Sequence, residues 1–212
     1  MKYKHIVWDW NGSLLDDRWL CVEGINQALI KRDLPPISED RYRKIFTFPV
    51  KEYYKKLGFD FDKEPFEVAG DEFVDYYGNN FYKAKLQKGS RTLLSKIQSN
   101  SISQSILSAA MERYLKNWVY AHKLEIYFSE IVGIDNQYAD GKVQEGINLI
   151  NRLPFKRRDI VMIGDTNHDS DVAEKLNINC ILIDHGHVDG KRLKKTGRTV
   201  VSNLMHIINH II

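Results

Sequence analysis

The chain has 212 residues, enough for one sizeable hydrophobic core or for a core domain with a smaller companion. Its 43% hydrophobic and 28% charged residues are ordinary for a globular protein, and its net charge of +3 is spread along the chain. This spread argues against nucleic acid as the main partner. Apolar runs no longer than Ile178–Ile183 argue against a membrane span.

The N-terminal residues and the cysteines indicate a compartment. Met1–His5 lead directly into an apolar strand pattern, without an apolar signal segment. Cys21 and Cys180 lie far apart in apolar surroundings, where reduced core thiols are expected. We therefore expect a cytoplasmic protein.

The first predicted element is a buried strand at Ile6–Trp10, and a helical segment follows it directly. From about Asp16 to Leu86 the sequence is rich in Tyr, Phe, Lys and Glu, contains several proline breakers and has no convincing strand pattern. Three helices fit there: Asp17–Arg32, Ser38–Phe46 continuing with Val50–Leu57, and Pro65–Lys83. We therefore predict a core of residues 1–15 and 87–212 and an inserted helical cap of residues 16–86.

The rest of the chain alternates between helical and strand patterns. Helices are predicted at Arg91–Gln98, Met111–Ala121, Val143–Leu153, Ser170–Leu176 and Leu204–Ile211. Strands are predicted at Ser105–Ser108, Ile160–Gly164 and Asn179–Asp184. This alternation predicts an α/β fold with a Rossmann-like, doubly wound parallel sheet.

Polar side chains follow the predicted strands at their carboxyl ends. In chain order these are Asp9, Ser108, the loop before Lys142, and Asp165. Because the ligand site of an open α/β sheet lies at this edge, we expect these residues to converge on one site.

Four stretches in this order resemble the motifs of a known family. They are Asp9-Trp10-Asn11-Gly12-Ser13-Leu14, Ser108 at the end of SILS, Lys142, and Gly164-Asp165-Thr166-Asn167-His168-Asp169. Together they resemble the haloacid dehalogenase superfamily of phosphotransferases, in its branch with a helical cap after the first strand. The phosphoglycolate-phosphatase-like members are the most similar. The resemblance covers nearly the whole chain.

The resemblance implies a role for each motif residue. Asp9 is the expected nucleophile, which forms an aspartyl-phosphate. The implied cofactor is Mg²⁺, which screens the phosphate from that carboxylate. Its expected ligands are Asp9, the main-chain carbonyl of Asn11, Asp165 and, directly or through water, Asp169, with Asp171 as the alternative to Asp169.

The phosphate-binding residues follow from the same resemblance. Ser108 is expected to hydrogen-bond a phosphoryl oxygen, and Lys142 to supply a compact positive charge. The expected substrate-binding residues also include Gly12, Ser13, Ala109, Arg18 and Lys51. Lys142 lacks the proline that often follows it in relatives, so a solvated lysine at a helix start is the alternative interpretation.

Asn11 departs from the family's pattern, since phosphatases of this family usually have a second aspartate there. An amide cannot protonate a leaving group or activate water, help that is worth roughly 10²–10⁴ in rate. Three outcomes stay open. The enzyme is slow and suited to good leaving groups; or Asp16, Asp17, His168 or a cap residue replaces the acid; or the protein binds phosphorylated ligands without catalysis.

A different chemistry is a further alternative. Phosphonoacetaldehyde hydrolases also lack the second aspartate, often have Trp after the nucleophile, and use a cap lysine for a Schiff base. Trp10 fits this pattern, and Lys51 or Lys55 is the candidate lysine. The sequence FTFPVKEYYKKLGF resembles the phosphatase branch more closely.

The cap is expected to act as a movable lid hinged near Leu15–Asp17 and Leu86–Ser90. Its aromatic residues are expected to form the cap's own core. The pair in His185-Gly186-His187 is interpreted as incidental, since no third ligand lies nearby. The overall expectation is a phosphatase acting on a small phosphorylated metabolite, as a monomer or homodimer, without nucleic acid or membrane partners.

Overall fold

The computed structural model describes residues 2–135 and 141–212. Within these residues the strands are β1 His5–Trp8, β2 Leu15–Asp16, β3 Lys85–Leu86, β4 Ser103–Met111, β5 Glu130–Ile134, β6 Ile160–Gly164, β7 Asn179–Ile183 and β8 Thr199–Val201. The helices are α1 Arg18–Ile30, α2 Glu39–Ile45, α3 Val50–Leu57, α4 Phe66–Asn80, α5 Ser90–Ser99, α6 Glu112–Ala121, α7 Lys142–Arg152, α8 Asn167–Lys175, α9 Gly190–Lys194 and α10 Ile208–Ile211. Short 3-10 turns lie at Phe81–Lys83, Glu125–Tyr127, Arg157–Asp159 and Leu204–Ile207.

Six strands form a parallel sheet in the order β5-β4-β1-β6-β7-β8. The chain builds outward from β1 through β4 to β5, then returns to the other side of β1 with β6, β7 and β8. The reversal at β1 is the topological switch point at which α/β sheets bind their ligands. The predicted α/β, Rossmann-like fold is therefore confirmed.

The β1 strand lies inside the sheet, between β4 and β6, and all of its side chains are buried. Successive side chains of a strand point to opposite faces, and Ile6 and Trp8 join one hydrophobic cluster while Val7 joins the other. Helices cover both faces of such a sheet, which is why its strands read as continuous apolar runs.

A helical segment from α1 to α4 is inserted between β2 and β3. These two short strands pair antiparallel, with Leu15 opposite Leu86 and Asp16 opposite Lys85. The predicted boundaries of the cap therefore lie at this two-stranded ribbon, in which β2 precedes the helical segment and β3 follows it. Its helices α1 and α4 pack against each other.

Several elements differ from the sequence prediction. The strands β5 and β8 were not predicted, because β5 contains Gly133 and β8 has three residues. The strand β4 continues to Met111, past the expected end at Ser108. The expected C-terminal helix is a 3-10 turn followed by the single turn α10.

Among the described residues, no helix has the length and apolar character needed to cross a membrane.

Candidate active site

The functional side chains lie at the carboxyl edge of the sheet, around β1. Asp9 directly follows β1, Asp165 directly follows β6, and Ser108 lies within β4. Lys142 is the first residue of α7, and Asp169 lies in the first turn of α8. The structure therefore brings together residues that are up to 160 positions apart in the chain. The segment 136–140, which belongs to the loop expected before Lys142, lies outside the described residues.

Lys142 connects two of the carboxylates. Its Nζ lies 2.6 Å from Asp9 Oδ1 and 2.7 Å from Asp169 Oδ1, and the lysine is 3% exposed. Although burial alone favours the neutral amine, Asp169 and Asp9 hold the pKa of Lys142 above its ordinary value. The alternative interpretation of a solvated lysine is therefore wrong.

Asp169 is fixed on its other side by the start of α8. Its Oδ2 accepts hydrogen bonds from Thr166 N at 3.0 Å and Thr166 Oγ1 at 2.8 Å, while Thr166 Oγ1 accepts from Asp169 N. This reciprocal capping box holds Asp169 in place for its ion pair with Lys142. Asp171, the alternative ligand, is exposed.

Asp165 is held by two neighbouring groups, the Ser13 hydroxyl and the His187 amide. Ser13 Oγ donates to Asp165 Oδ1 at 2.9 Å and to Asp9 Oδ2 at 3.2 Å, and the His187 amide donates to Asp165 Oδ2 at 2.6 Å. Two glycines allow this close approach. A Cβ at Gly12 or Gly186 would lie 2.4 Å or 2.0 Å from Asp165 Oδ2.

The three carboxylates have the chemistry of a hard-cation site. Oxygens of Asp9, Asp165 and Asp169 lie within 4.8 Å of one another, and all three residues are buried. Burial raises the pKa of Asp9 to about 8, with Lys142 opposing the shift and the Asp169 and Asp165 carboxylates adding to it. Burial also raises the pKa of Asp165 to about 6. Since Lys142 balances only part of this negative charge, a divalent cation with oxygen ligands, such as Mg²⁺, fits the residues present.

Asn11 is hydrogen-bonded to residues at both ends of the helical segment, Asp17 before α1 and Tyr77 in α4. Its Nδ2 donates to Asp17 Oδ2 at 2.7 Å and to the Tyr77 hydroxyl at 2.8 Å, and that hydroxyl donates to Asp17 Oδ2 at 2.7 Å. Asp17 Oδ1 accepts from the Gly12 amide at 2.8 Å. Asp17 is fully buried. Although burial opposes ionisation, His187 and the hydrogen bonds from Asn11 and Tyr77 keep the pKa of Asp17 below its ordinary value.

His187 is a residue of the site that the sequence interpretation missed. It is buried, and its Nε2 lies 3.4 Å from Asp17 Oδ1 while its Nδ1 is 2.9 Å from the Tyr42 hydroxyl. Although burial opposes the charge, Asp17 raises the pKa of His187 to about 9. The position of His187 just after β7, at the same sheet edge as Asp9, is the signal that identifies it.

A cavity of about 430 Å³ opens beside Asp9. Ser108, Ala109 and Lys142 line it from the core, and Ser108 Oγ accepts a hydrogen bond from Ala110 N at 3.1 Å. Side chains of α1 to α4 line the opposite wall. The cavity thus lies between the expected nucleophile Asp9 and the helical segment.

Four predicted substrate-binding residues lie outside the lining of this cavity. Ser13 is fully buried between Asp9 and Asp165, and the Gly12 amide is bound to Asp17. Arg18 bonds Glu39 Oε2 at 2.8 Å and the His185 carbonyl, and Lys51 is exposed with its Nζ 5.4 Å from the centre of the Phe61 ring. Arg18 and Lys51 are thus turned toward other partners in this arrangement, and their contact with substrate stays a prediction.

The aromatic residues of the helical segment have two roles. Tyr53, Tyr54 and Phe66 are buried and pack against one another, as the sequence predicts. These residues also line the cavity. At the core side His168 stacks on Phe48 with ring centres 4.5 Å apart, and both rings line the cavity.

A family model described as haloacid dehalogenase-like hydrolase matches residues 6–183. Among solved structures, a predicted phosphatase from Clostridium acetobutylicum superposes with a TM-score of 0.85 at 23% identity, covering 100% of this chain and 99% of that one. A predicted phosphoglycolate phosphatase from Haemophilus somnus superposes with a TM-score of 0.80 at 15% identity, covering 100% and 99%. At these identities the two structures show the shared fold alone.

A third relative carries a different name. Tyrosine-protein kinase PtkA of Mycobacterium tuberculosis is 24% identical over 200 residues, which cover 93% of this chain and 68% of that protein. Its solved structure has a TM-score of 0.81 at 19% identity, covering 99% and 98% of the two chains.

Proposed function

The chain belongs to the haloacid dehalogenase-like hydrolase family, and from this premise we propose that it is a Mg²⁺-dependent phosphatase. Its substrate is a small phosphomonoester, which it hydrolyses through an aspartyl-phosphate on Asp9. The observation that carries the proposal is the position of Asp9. Its carboxylate lies 2.6 Å from Lys142 Nζ, beside two further carboxylates and at the wall of the cavity.

Each residue of the cluster has a role in this reaction. The Asp9 carboxylate attacks phosphorus, and Lys142 and Ser108 bind the non-bridging oxygens whose charge changes in the transition state. Asp165 and Asp169, with Asp9 and the Asn11 carbonyl, would hold Mg²⁺, which supplies positive charge between the carboxylates and the phosphate. Ser13 and Thr166 orient two of these carboxylates through their hydrogen bonds.

Asn11 limits the reaction to favourable leaving groups. Its amide is a donor to Asp17 and Tyr77, so it is positioned as a structural group and offers no exchangeable acid. Asp17 does not line the cavity and accepts hydrogen bonds from Asn11, Gly12 and Tyr77, so it is not placed to replace the acid. His168 does line the cavity. We take the slow phosphatase as the first of the three outcomes, with His168 as the replacement acid that the cavity leaves open.

The structure favours this function over the phosphonoacetaldehyde hydrolase alternative. That chemistry needs a cap lysine facing the substrate, but Lys51 and Lys55 are exposed and do not line the cavity. Lys55 is paired with Glu52 Oε1 at 2.7 Å.

Phosphoryl transfer to tyrosine is a second candidate function, which the name of the relative PtkA suggests. Asn11 favours it, because an amide at this position does not activate water. A nucleotide donor would bring several phosphates, and Lys142 is the one lysine or arginine among the described residues that line the cavity. Phosphatase activity is therefore the first candidate.

The reduced thiols of Cys21 and Cys180 support a cytoplasmic location.

Phosphate release from acetyl phosphate and p-nitrophenyl phosphate tests the proposal. We expect Mg²⁺-dependent release that Asp9→Asn reduces to the rate without enzyme, because the nucleophile is lost. Asp171→Asn, at an exposed aspartate of α8, is the matched control and should retain the activity.

Two results would contradict the proposal. Release that Asp9→Asn leaves unchanged would place the chemistry elsewhere. Binding of inorganic phosphate without any turnover would support the non-catalytic alternative instead.

A further inference from the structure

The cavity wall opposite Asp9 is built mainly from apolar and aromatic side chains. The helix α4 contributes one face of residues three or four positions apart, namely Phe66, Gly70, Phe73, Val74 and Tyr77. Met111 and Tyr114 contribute a second apolar surface from the β4–α6 region, and the Trp118 ring packs on Tyr77 of α4 with ring centres 5.2 Å apart. A volume of about 430 Å³ lies within the range of small-molecule sites and leaves room for a ring beside the phosphate.

The same wall offers little to a second anionic group. Among the described residues that line the cavity, Lys142 is the one lysine or arginine, and two carboxylates already bind it. His187 is engaged with Asp17 and Tyr42. Asp75 adds a further negative charge to the lining.

Three cations of the helical segment are turned to other partners. Arg18 is bound to Glu39, Arg43 Nη2 lies 2.6 Å from Asp184 Oδ1, and Lys55 is bound to Glu52. A carboxylate on the substrate would therefore be desolvated in this cavity without a compensating positive charge, which is costly.

The amide at position 11 constrains the leaving group independently. An amide cannot protonate the departing oxygen, so this position favours a leaving group that carries negative charge well. A phenol, with a pKa near 10 as in tyrosine, tolerates this far better than an alcohol whose pKa is close to that of water, about 15.7.

On the basis of the phosphatase function proposed above, we propose that the substrate is a phosphate monoester of an uncharged aryl alcohol, with its ring between α4 and the β4–α6 region. The Asp9 oxygen forms a bond to phosphorus as the bond from phosphorus to the aryl oxygen breaks. The phenolate leaves with the electron pair and takes its proton from water. A water molecule then cleaves the aspartyl-phosphate and releases inorganic phosphate.

A matched pair of substrates tests the proposal on the full chain with Mg²⁺. Phenyl phosphate and 4-carboxyphenyl phosphate have the same ring, but the second carries a carboxylate that also makes its phenol the better leaving group. We expect kcat/KM for phenyl phosphate to be higher by about tenfold or more, because the cavity favours apolar surface and does not pair the carboxylate. A leaving-group effect alone would give the opposite order.

A positive charge placed in the cavity wall should largely remove this preference. Val74 is half-buried, lies on α4 and lines the cavity, whereas Val68 is 42% exposed on the same helix and does not line it. Val74→Lys should raise kcat/KM for 4-carboxyphenyl phosphate relative to phenyl phosphate by roughly tenfold. Val68→Lys is the matched control and should leave the ratio at the wild-type value.

Acetyl phosphate separates failure of this inference from failure of the phosphatase function. Its good leaving group and small size require no ring site. Hydrolysis of acetyl phosphate together with equal or faster turnover of the carboxylated ester would overturn the aryl-substrate inference alone. The absence of turnover with all three compounds would overturn the phosphatase function and this inference with it.

Discussion

Asn11 is bound to a charged partner, and this changes what its substitution should do. The sequence predicts that Asn11→Asp raises turnover, because it restores a general acid. In the structure, however, Asn11 Nδ2 lies 2.7 Å from Asp17 Oδ2, and Asp17 is fully buried. A carboxyl group at this half-buried position would lie at hydrogen-bond distance from the fully buried Asp17.

We therefore predict that Asn11→Asp alone lowers the free energy of unfolding by about 2–4 kcal/mol, because a partly buried hydrogen bond to the buried Asp17 becomes a repulsion. The double variant Asn11→Asp with Asp17→Asn reverses the donor and the acceptor and should recover much of the loss. It should also turn over esters with poor leaving groups faster than wild type. Denaturant unfolding and phosphate release measure the two effects.

The matched single variant Asp17→Asn completes the cycle. If Asn11→Asp proves as stable as wild type, and the double variant gains nothing over it, then Asp17 is not the charged acceptor of the Asn11 amide.

His187 and Tyr77 are residues of the site that the sequence did not predict. Each belongs to the network around Asp17, yet His187 is 170 positions away from it and Tyr77 is 60. Asp9, Asp165, Ser108 and Lys142 were predictable, because strand ends and motif spacing mark them. A residue that enters the site through packing of a helix, as Tyr77 does from α4, leaves no such local pattern.

At the scale of elements, β1 contains a histidine that the fold keeps neutral. His5 is fully buried, its Nε2 lies 2.8 Å from Ser105 Oγ, and its ring stacks on Phe155. Its Nδ1 has no hydrogen-bond partner within residues 2–135 and 141–212. Burial lowers the pKa of His5 to about 4.

This shift predicts a loss of stability in acid. Between the unfolded pKa of about 6.5 and the folded value near 4, the unfolded chain binds the extra proton, so the free energy of unfolding decreases as the pH falls. The His5 contribution to this loss is about 3 kcal/mol by pH 4. The variant His5→Gln, which can keep the bond to Ser105, should show a shallower decrease when urea unfolding is measured from pH 7 to pH 4.

The control variant is His206→Gln, which removes an exposed imidazole near the C-terminus. It separates the effect of burying His5 from the effect of losing any one imidazole. Parallel pH profiles for wild type and His5→Gln would show that burial of His5 does not control the acid response.

Strands and helices were predictable where their hydrophobic pattern extends over several residues. The strand β6 forms at the predicted residues, and α7 begins within one residue of its prediction. The two-residue strands β2 and β3 could not be predicted, because they exist only through pairing with each other across the helical segment.

At the scale of the whole molecule, the helical segment is joined to the core by polar contacts at α2. Arg43 binds Asp184, and Arg192 Nη1 donates to the Phe46 carbonyl at 2.7 Å. These contacts, together with the Tyr42–His187 hydrogen bond, hold one end of the cavity against the core. The ribbon of β2 and β3 at the other end stays the predicted position of a hinge.

The site as a whole exists only because distant segments of the chain meet. Asp9 and Lys142 are 133 positions apart, and Asp165 comes from a third segment. The central claim is that Asp9 accepts a phosphoryl group because Lys142 and Asp165 lie beside it. Since Asn11 provides no carboxylate to activate water against the acyl phosphate, we expect the intermediate to accumulate during turnover.

The most direct measurement is chemical trapping of this intermediate. The protein is incubated with acetyl phosphate and Mg²⁺, quenched with borohydride and digested, and the peptides are analysed by mass spectrometry. We predict reduction of Asp9 to homoserine, at a level that falls when Mg²⁺ is omitted. Phosphate release with Asp9 unmodified, or with the modification on another carboxylate, would contradict the account.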